Sequence, residues 1–225
     1  MIIYTAADLR FDAESHTSTL PDGRDVPHVT TVLSAVGVCT NFEEVASISR
    51  RMEDAVERRR ALGTAVHVDC HAYDDGTLSW GDVHPEVLPY VESWAELRER
   101  KRLRPLLRER QIFDPHNFYT GALDGVFLFE PEGINPLIDM KIGDPDDAAA
   151  HLQTAAYEGA CRITFPEVQI HERWAIRLQP SLRVPYRITN YTDYKRRPDA
   201  YLDYQKWLAC LTTFNEQPSR RRKAA

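Results

Sequence analysis

Two aspartates and a lysine within LDGVFLFEPEGINPLIDMKIG, residues 123 to 143, have the types and spacing for metal-assisted hydrolysis. Asp124 opens one apolar run, Val126-Phe127-Leu128-Phe129, and Asp139 and Lys141 interrupt a second that begins Leu137-Ile138. Side chains alternate along a strand, so Asp139 and Lys141 project from one side while Ile138 and Met140 project from the other. If FYTGALDGV and NPLIDMK pair as antiparallel neighbours about the EPEGIN turn, Asp124 comes beside Asp139. Two close carboxylates repel each other, and a hard divalent cation such as Mg²⁺ relieves this by taking both as oxygen ligands. A lysine at such a pair can hold and polarise a water, or stabilise charge on a phosphate under attack. The plainer reading is an ion pair between Asp139 and Lys141 at a strand end, with Asp124 in a turn before Gly125.

Further along, Gln153 and Tyr157 are spaced i,i+4, which puts both on one helix face. Their amide and hydroxyl can reach phosphate oxygens or the lysine; the alternative is a core tyrosine with a polar neighbour. His67 and His71 lie in GTAVHVDCHAYDDGT, a helical stretch where a histidine is commonly structural. Glu109 begins the first strand but lies among arginines, where a surface ion pair competes with any site role.

The elements that must hold these residues follow from periodicity and turn chemistry. Residues 1 to 26 read as a short polar hairpin about PDGRD, and VPHVTTVLSAVG leads into a helical stretch. Helices are predicted over 41–62, from Gly63 to Gly76, and through PEVLPYVESWAELRERKRL, the last broken near Pro105. From Glu109 the pattern turns to strands: RQIFDP, FYTGALDGVFLFEP and NPLIDMKIG make a three-stranded meander. DPDDAAAHLQTAAYEGACRITF reads as a helix with acidic residues at its N-terminus, where the dipole favours them. VQIHERWAIRLQP and LRVPYRIT are two further strands, and DYKRRPDAYLDYQKWLACLTTF a closing helix. The expectation is one domain over 1–225, α/β or α+β, helical in its N-terminal part and with its strands after residue 108.

Composition bounds the function. The chain has 225 residues, 43% hydrophobic and 28% charged, a formal net charge of -6 and a pI near 5.8. That is enough for a sizeable core and excludes a protein basic all over. Basic residues cluster instead: RERKRLRPLLRER, Arg98 to Arg110, holds seven Lys or Arg, and YKRRP and SRRRKAA hold more. Each run alone reads as a solvated face, while three together favour a local phosphate-binding surface. No segment has the roughly 20 apolar residues of a membrane span, and the N-terminus lacks a signal peptide's pattern, so a cytoplasmic protein with no membrane contact is expected. Cys39, Cys70, Cys161 and Cys210 form no CxxC pair and read as structural thiols. The absence of a GxxxxGK[ST] phosphate loop argues against a helicase motor.

GTAVH (63 to 67), ERQIF (109 to 113), GALDGV (121 to 126), IDMKIG (138 to 143) and QTAAY (153 to 157) occur in that order. With them the chain resembles the PD-(D/E)XK nuclease superfamily, in the branch of RecB-type, CRISPR-associated and phage exonucleases. The likeness spans residues 63 to 157 and more weakly 27 to 210. It implies a restriction-endonuclease-like core over about 60–210, a mixed central β-sheet flanked by helices. It also implies a metal-dependent deoxyribonuclease, an exonuclease of recombination, repair or phage replication. On this likeness His67, Asp124, Asp139 and the Met140 carbonyl are metal ligands for Mg²⁺ or Mn²⁺. Lys141, Glu109, Gln153 and Tyr157 complete the catalytic set with the two aspartates, while His71 has no motif match. Leu123 stands where the superfamily's name has proline, and the cysteines do not group as for an iron-sulfur cluster, so none is expected. DNA is the implied partner, with Arg98 to Arg110 along its path; a recombination or annealing protein and a homo-oligomer are further possibilities of the branch. The alternative is a catalytically inactive DNA-binding or assembly protein that keeps the nuclease fold.

Overall fold

The computed structural model describes residues 4–12, 17–38, 50–142 and 147–217. Where the sequence suggests a single N-terminal hairpin, three short strands pair instead: β1 (Arg10–Asp12), β2 (Thr17–Thr19) and β3 (Asp25–Val26) form an antiparallel sheet. The PDGRD turn joins the second and third of these, with Gly23 at φ 86, a conformation open to glycine at little cost. Helix α1 (Val29–Ala35) follows directly. His28 bridges Thr120, and the Thr120 N–H donates to the Pro27 carbonyl at 3.0 Å, tying the start of this helix to the main sheet.

Helix α2 (Arg50–Asp74) passes through Gly63 without a break, where two helices were expected. A glycine inside a helix costs only about 1 kcal/mol relative to alanine, too little to end a long helix held by packing. The part of the expected 41–62 helix before Arg50, together with Cys39 and the SRRRKAA run, lies outside the described residues. Helix α3 (Leu88–Lys101) ends at Arg102, which turns left-handed at φ 50.

The main sheet has five strands in sequence order: β4 (Leu103–Asp114), β5 (Tyr119–Phe129), β6 (Pro136–Lys141), β7 (Glu172–Leu178) and β8 (Tyr186–Asn190). The first three are an antiparallel meander, as expected, while β6 and β7 run parallel and β7 and β8 antiparallel. Between the two parallel strands the chain crosses over in helix α4 (Asp147–Thr164), as parallel strands require. Helix α5 (Asp203–Asn215) closes the chain ten residues later than DYKRRP suggests, because turns occupy the segment before it. β4 also starts earlier than expected, at Leu103. It tolerates Pro105 because it is an edge strand and its pairing shifts register between Pro105 and Leu107.

The result is a mixed α/β fold in three layers. On one face of the sheet, Leu123, Val126 and Leu137 pack with Val32 of α1, Ala156 and Tyr157 of α4, and Trp207 and Leu211 of α5. On the other, Phe127, Ile138 and Met140 pack with Val66 of α2 and with Trp94 and Leu97 of α3. β6 thus sends Leu137 to one core and Ile138 and Met140 to the other, the alternation that puts Asp139 and Lys141 on the α4 side. A buried ion pair fastens α5 to β7: Arg173 donates to Asp203 at 2.9 Å, and Arg197 donates to the same carboxylate at 2.9 Å. Among the described residues no helix is long and apolar enough to cross a membrane. Cys70 and Cys161 are buried free thiols, and burial pushes Cys161 up to about 12.

Candidate active site

β5 and β6 part company at Asp124. Their paired register ends at Gly125 opposite Ile138, so the next step would set Asp124 opposite Asp139. Here a side chain replaces the ladder: the Met140 N–H donates to Asp124 Oδ2 at 2.6 Å. The other oxygen, Oδ1, lies 3.4 Å from His67 Nδ1 on α2. Burial alone would push the Asp124 carboxyl up, but the charge and hydrogen bond of His67, the Lys141 ammonium and the Met140 N–H outweigh it and hold it down at about 2. In return the Asp124 charge raises the His67 imidazole above its ordinary 6.5, against the opposing effect of desolvation.

Asp139 is nearly sealed, its side chain 3% exposed, whereas Lys141 beside it remains 31% exposed and can meet a ligand. Lys141 Nζ lies 3.0 Å from Asp139 Oδ2 and 3.2 Å from Oδ1. It also donates to Gln153 Oε1 at 3.3 Å. The Gln153 amide then donates to Asp139 Oδ1 at 3.2 Å and to the Tyr157 hydroxyl at 3.0 Å. Lysine, carboxylate, amide and phenol therefore form one contiguous polar cluster in which α4 holds the charges of β6. Burial raises the Asp139 carboxyl; Lys141 opposes this and the Asp124 charge adds to it. Burial likewise raises the Tyr157 phenol, so it stays protonated at neutral pH.

Both glycines of GALDGV have a packing reason. A Cβ on Gly121 would stand 2.6 Å from Cε1 of Tyr157, and one on Gly125 would stand 2.9 Å from the Leu107 carbonyl oxygen. Asp124 is thus flanked by positions where the backbone runs against its neighbours.

His71, read from sequence as a structural residue, joins the site. His67 Nδ1 or Nε2, a ring nitrogen of His71 and an Asp124 oxygen all lie within 4.8 Å of one another. The two histidines are one helical turn apart on α2, a spacing legible in HVDCH that no motif flagged. His71 is 6% exposed, yet neither ring nitrogen has a hydrogen-bond partner among the described residues. Glu109 Oε1 lies 3.3 Å from its Nε2 but off the line of a hydrogen bond. Glu109 reaches that position through a left-handed backbone at φ 41, in a strand interior where such a conformation costs about 1–2 kcal/mol.

An orphaned buried imidazole beside a second imidazole and an ionised carboxylate suits a cation with nitrogen and oxygen donors. It is not a Mg²⁺ site, because Mg²⁺ takes oxygen ligands and keeps several waters. Asp139, expected to share the metal with Asp124, is not in this group; its oxygens are engaged by Lys141 and Gln153. The Met140 main chain enters the site through its N–H.

Much of the expected basic path is internally paired. Arg98 donates to Asp74 at 2.7 Å, Arg100 to Glu96 at 2.8 Å and Arg102 to Glu130 at 3.0 Å, and Arg108 pairs with Asp75. Such pairing spends cationic charge within the molecule. In YKRRP, Arg197 is held by Asp203 and Arg196 lies 3.5 Å from Asp193.

No protein-family model matches the chain, and no curated protein matches it at a significant level.

Proposed function

We infer that the chain is a divalent-metal-dependent deoxyribonuclease with a restriction-endonuclease-like core, acting on phosphodiester bonds as an exonuclease. The observation that carries this is the contact of Lys141 with Asp139 and Gln153, beside an Asp124 carboxylate that faces two histidines. The five ordered sequence motifs that resemble the nuclease superfamily fall on this cluster, which supports the same reading.

His67, His71 and Asp124 would hold the metal, and their mixed donors favour Mn²⁺ over Mg²⁺. When bound, the metal supplies a Lewis acid that lowers the pKa of a water and neutralises charge on the phosphate. The chain's own groups do the rest. Asp124, held down at about 2, is ionised at neutral pH and offers a carboxylate without having to lose a proton. Lys141 brings a half-open ammonium to the cluster, where it can bind a phosphate oxygen or orient the attacking water. Gln153 fixes the lysine and Asp139 relative to each other, and Tyr157 fixes Gln153. Asp139 balances the lysine's charge from 3.0 Å away.

The second reading, a DNA-binding or assembly protein without catalysis, is favoured by the internal pairing that ties up much of the Asp139 and Lys141 charge. The test is incubation of linear and circular DNA with EDTA, Mg²⁺, Mn²⁺ or Zn²⁺. Loss of linear but not circular DNA with Mn²⁺, abolished by EDTA, is the expected result. No cleavage of either form with any of the metals would leave the non-catalytic reading.

A further inference from the structure

We propose that Lys141, Arg177 and Arg187, side by side across β6, β7 and β8, grip the phosphate backbone next to the reacting phosphodiester, so that the DNA runs from the site across the sheet to its β8 edge. This rests on reading the Lys141 cluster as the place of the reacting phosphate.

The strand register sets the row. Lys141 of β6 is paired with Arg177 of β7, and Arg177 with Arg187 of β8. All three side chains leave the sheet on its α4 side. Ala175, two residues before Arg177, packs with Ala150 of α4, while Trp174, Ile176 and Leu178 enter the core on the other face. On β8, Tyr186 and Ile188 pack against that same core, so Arg187 between them points the opposite way. β8 is an edge of the sheet, and Arg187 is exposed there.

Charge and reach select the ligand. Like charges directly opposite each other destabilise a pair of strands, and an anion set between them removes that cost. Neighbouring strands lie about 4.8 Å apart, so the row extends roughly 10 Å from Lys141 to Arg187. A DNA strand rises about 3.4 Å per nucleotide, so its backbone can meet the row at successive phosphates, whereas one small anion cannot span it. Guanidinium forks match phosphate oxygens in pairs and read no base, so the grip is independent of sequence.

The row also differs from the basic run of Arg98 to Arg110. Arg98, Arg100, Arg102 and Arg108 turn their charge on Asp74, Glu96, Glu130 and Asp75, whereas Arg187 makes no ion pair among the described residues. Arg187 therefore carries the test, and its exposure lets it be replaced without disturbing either core.

The experiment is fluorescence anisotropy in EDTA, so that binding is read without cleavage. A labelled oligonucleotide of mixed sequence is used as a single strand and as a duplex, between about 50 and about 200 mM salt. Arg187→Gln should make the slope of log K against log salt shallower by about 0.7 on the single strand or about 0.9 on the duplex, the loss of one phosphate contact. Across that range of salt the parent then loses about threefold more affinity than the variant. Arg187→Lys keeps the charge and should keep the slope. Arg162→Gln makes the same change of charge in the last turn of α4, away from the row, and should leave the slope as it is. Matching thermal melts establish that the variants are folded. An unchanged slope with Arg187→Gln on both forms, an equal change with Arg162→Gln, or no binding of either form at about 50 mM salt overturns the proposal. A shallower slope without metal-dependent cleavage by the parent would sink the nuclease reading and keep the row as a DNA-binding surface; cleavage with an unchanged slope would do the reverse.

Discussion

Asp124 accepts the Met140 N–H at 2.6 Å, one step past the last registered pair of β5 and β6. One carboxylate thus closes a strand fork with one oxygen and faces His67 with the other. The structural and chemical duties can be separated by substitution. Asp124→Asn keeps an acceptor for the Met140 N–H but loses the charge that faces His67, so it should lose less stability than Asp124→Ala while metal binding falls. Asp124→Ala leaves that N–H without its partner and should cost about 1–3 kcal/mol. Denaturant unfolding together with calorimetric Mn²⁺ titration checks both; equal stability of the two variants would show that the fork does not depend on the carboxylate.

Lys141 is the cluster's exposed cation. Lys141→Met should lower DNA cleavage by roughly 10²–10⁴-fold, the scale for loss of a positioned proton-transfer or charge-stabilising group. Gln153→Ala should cost less, about tenfold, because Lys141 keeps its contact with Asp139. Initial rates at saturating DNA check the order, and a larger loss for Gln153→Ala would mean the amide acts directly.

Gly121 leaves room for the Tyr157 ring. Gly121→Ala would set its Cβ 2.6 Å from Tyr157 Cε1, forcing the phenol off Gln153. A destabilisation of about 1–3 kcal/mol is expected, along with a fall in activity. Unfolding curves and rates measured together test this; an unchanged variant would show that Tyr157 moves freely.

Protonation of the Asp124 and His67 pair gives the metal-free protein a pH signature. His67, raised above 6.5, contributes stability that is full below 6.5 and lost as pH rises through its folded value. Asp124, lowered from 3.8 to about 2, contributes stability that is present above 3.8 and lost as pH falls toward about 2. Both contribute between 3.8 and 6.5. Denaturation midpoints at about pH 5 and about pH 9 should differ more for the parent than for His67→Gln. Equal differences would remove the pair from the stability of the fold.

Asp203 is fully buried against Arg173 and Arg197. Asp203→Ala leaves two cations without their counter-charge and should destabilise by about 3–5 kcal/mol. A denaturation midpoint near that of the parent would show that water or rearrangement compensates.

The meander, the crossover helix and the convergence of Asp139, Lys141, Gln153 and Tyr157 were legible because they rest on local periodicity. Alternation along β6 put Asp139 and Lys141 on one side, and i,i+4 spacing put Gln153 and Tyr157 on one helix face. His71 was not legible as a site residue, because its role depends on where α2 docks against Asp124, a long-range fact. Glu109 was placed on the right strand, but its left-handed backbone follows from tertiary strain. Nor could the sequence show that the arginines of the basic run find Asp74, Asp75 and Glu130, two of which lie on α2 and its following turn. The Gly63 break failed because packing overrides the modest helix penalty of glycine.

The most direct measurement is the rate at which linear DNA releases acid-soluble nucleotide in Mn²⁺, for the parent and Lys141→Met side by side. The account predicts release by the parent that EDTA abolishes and that Lys141→Met lowers by at least about 100-fold. No release by the parent, or equal release by the two proteins, would contradict it.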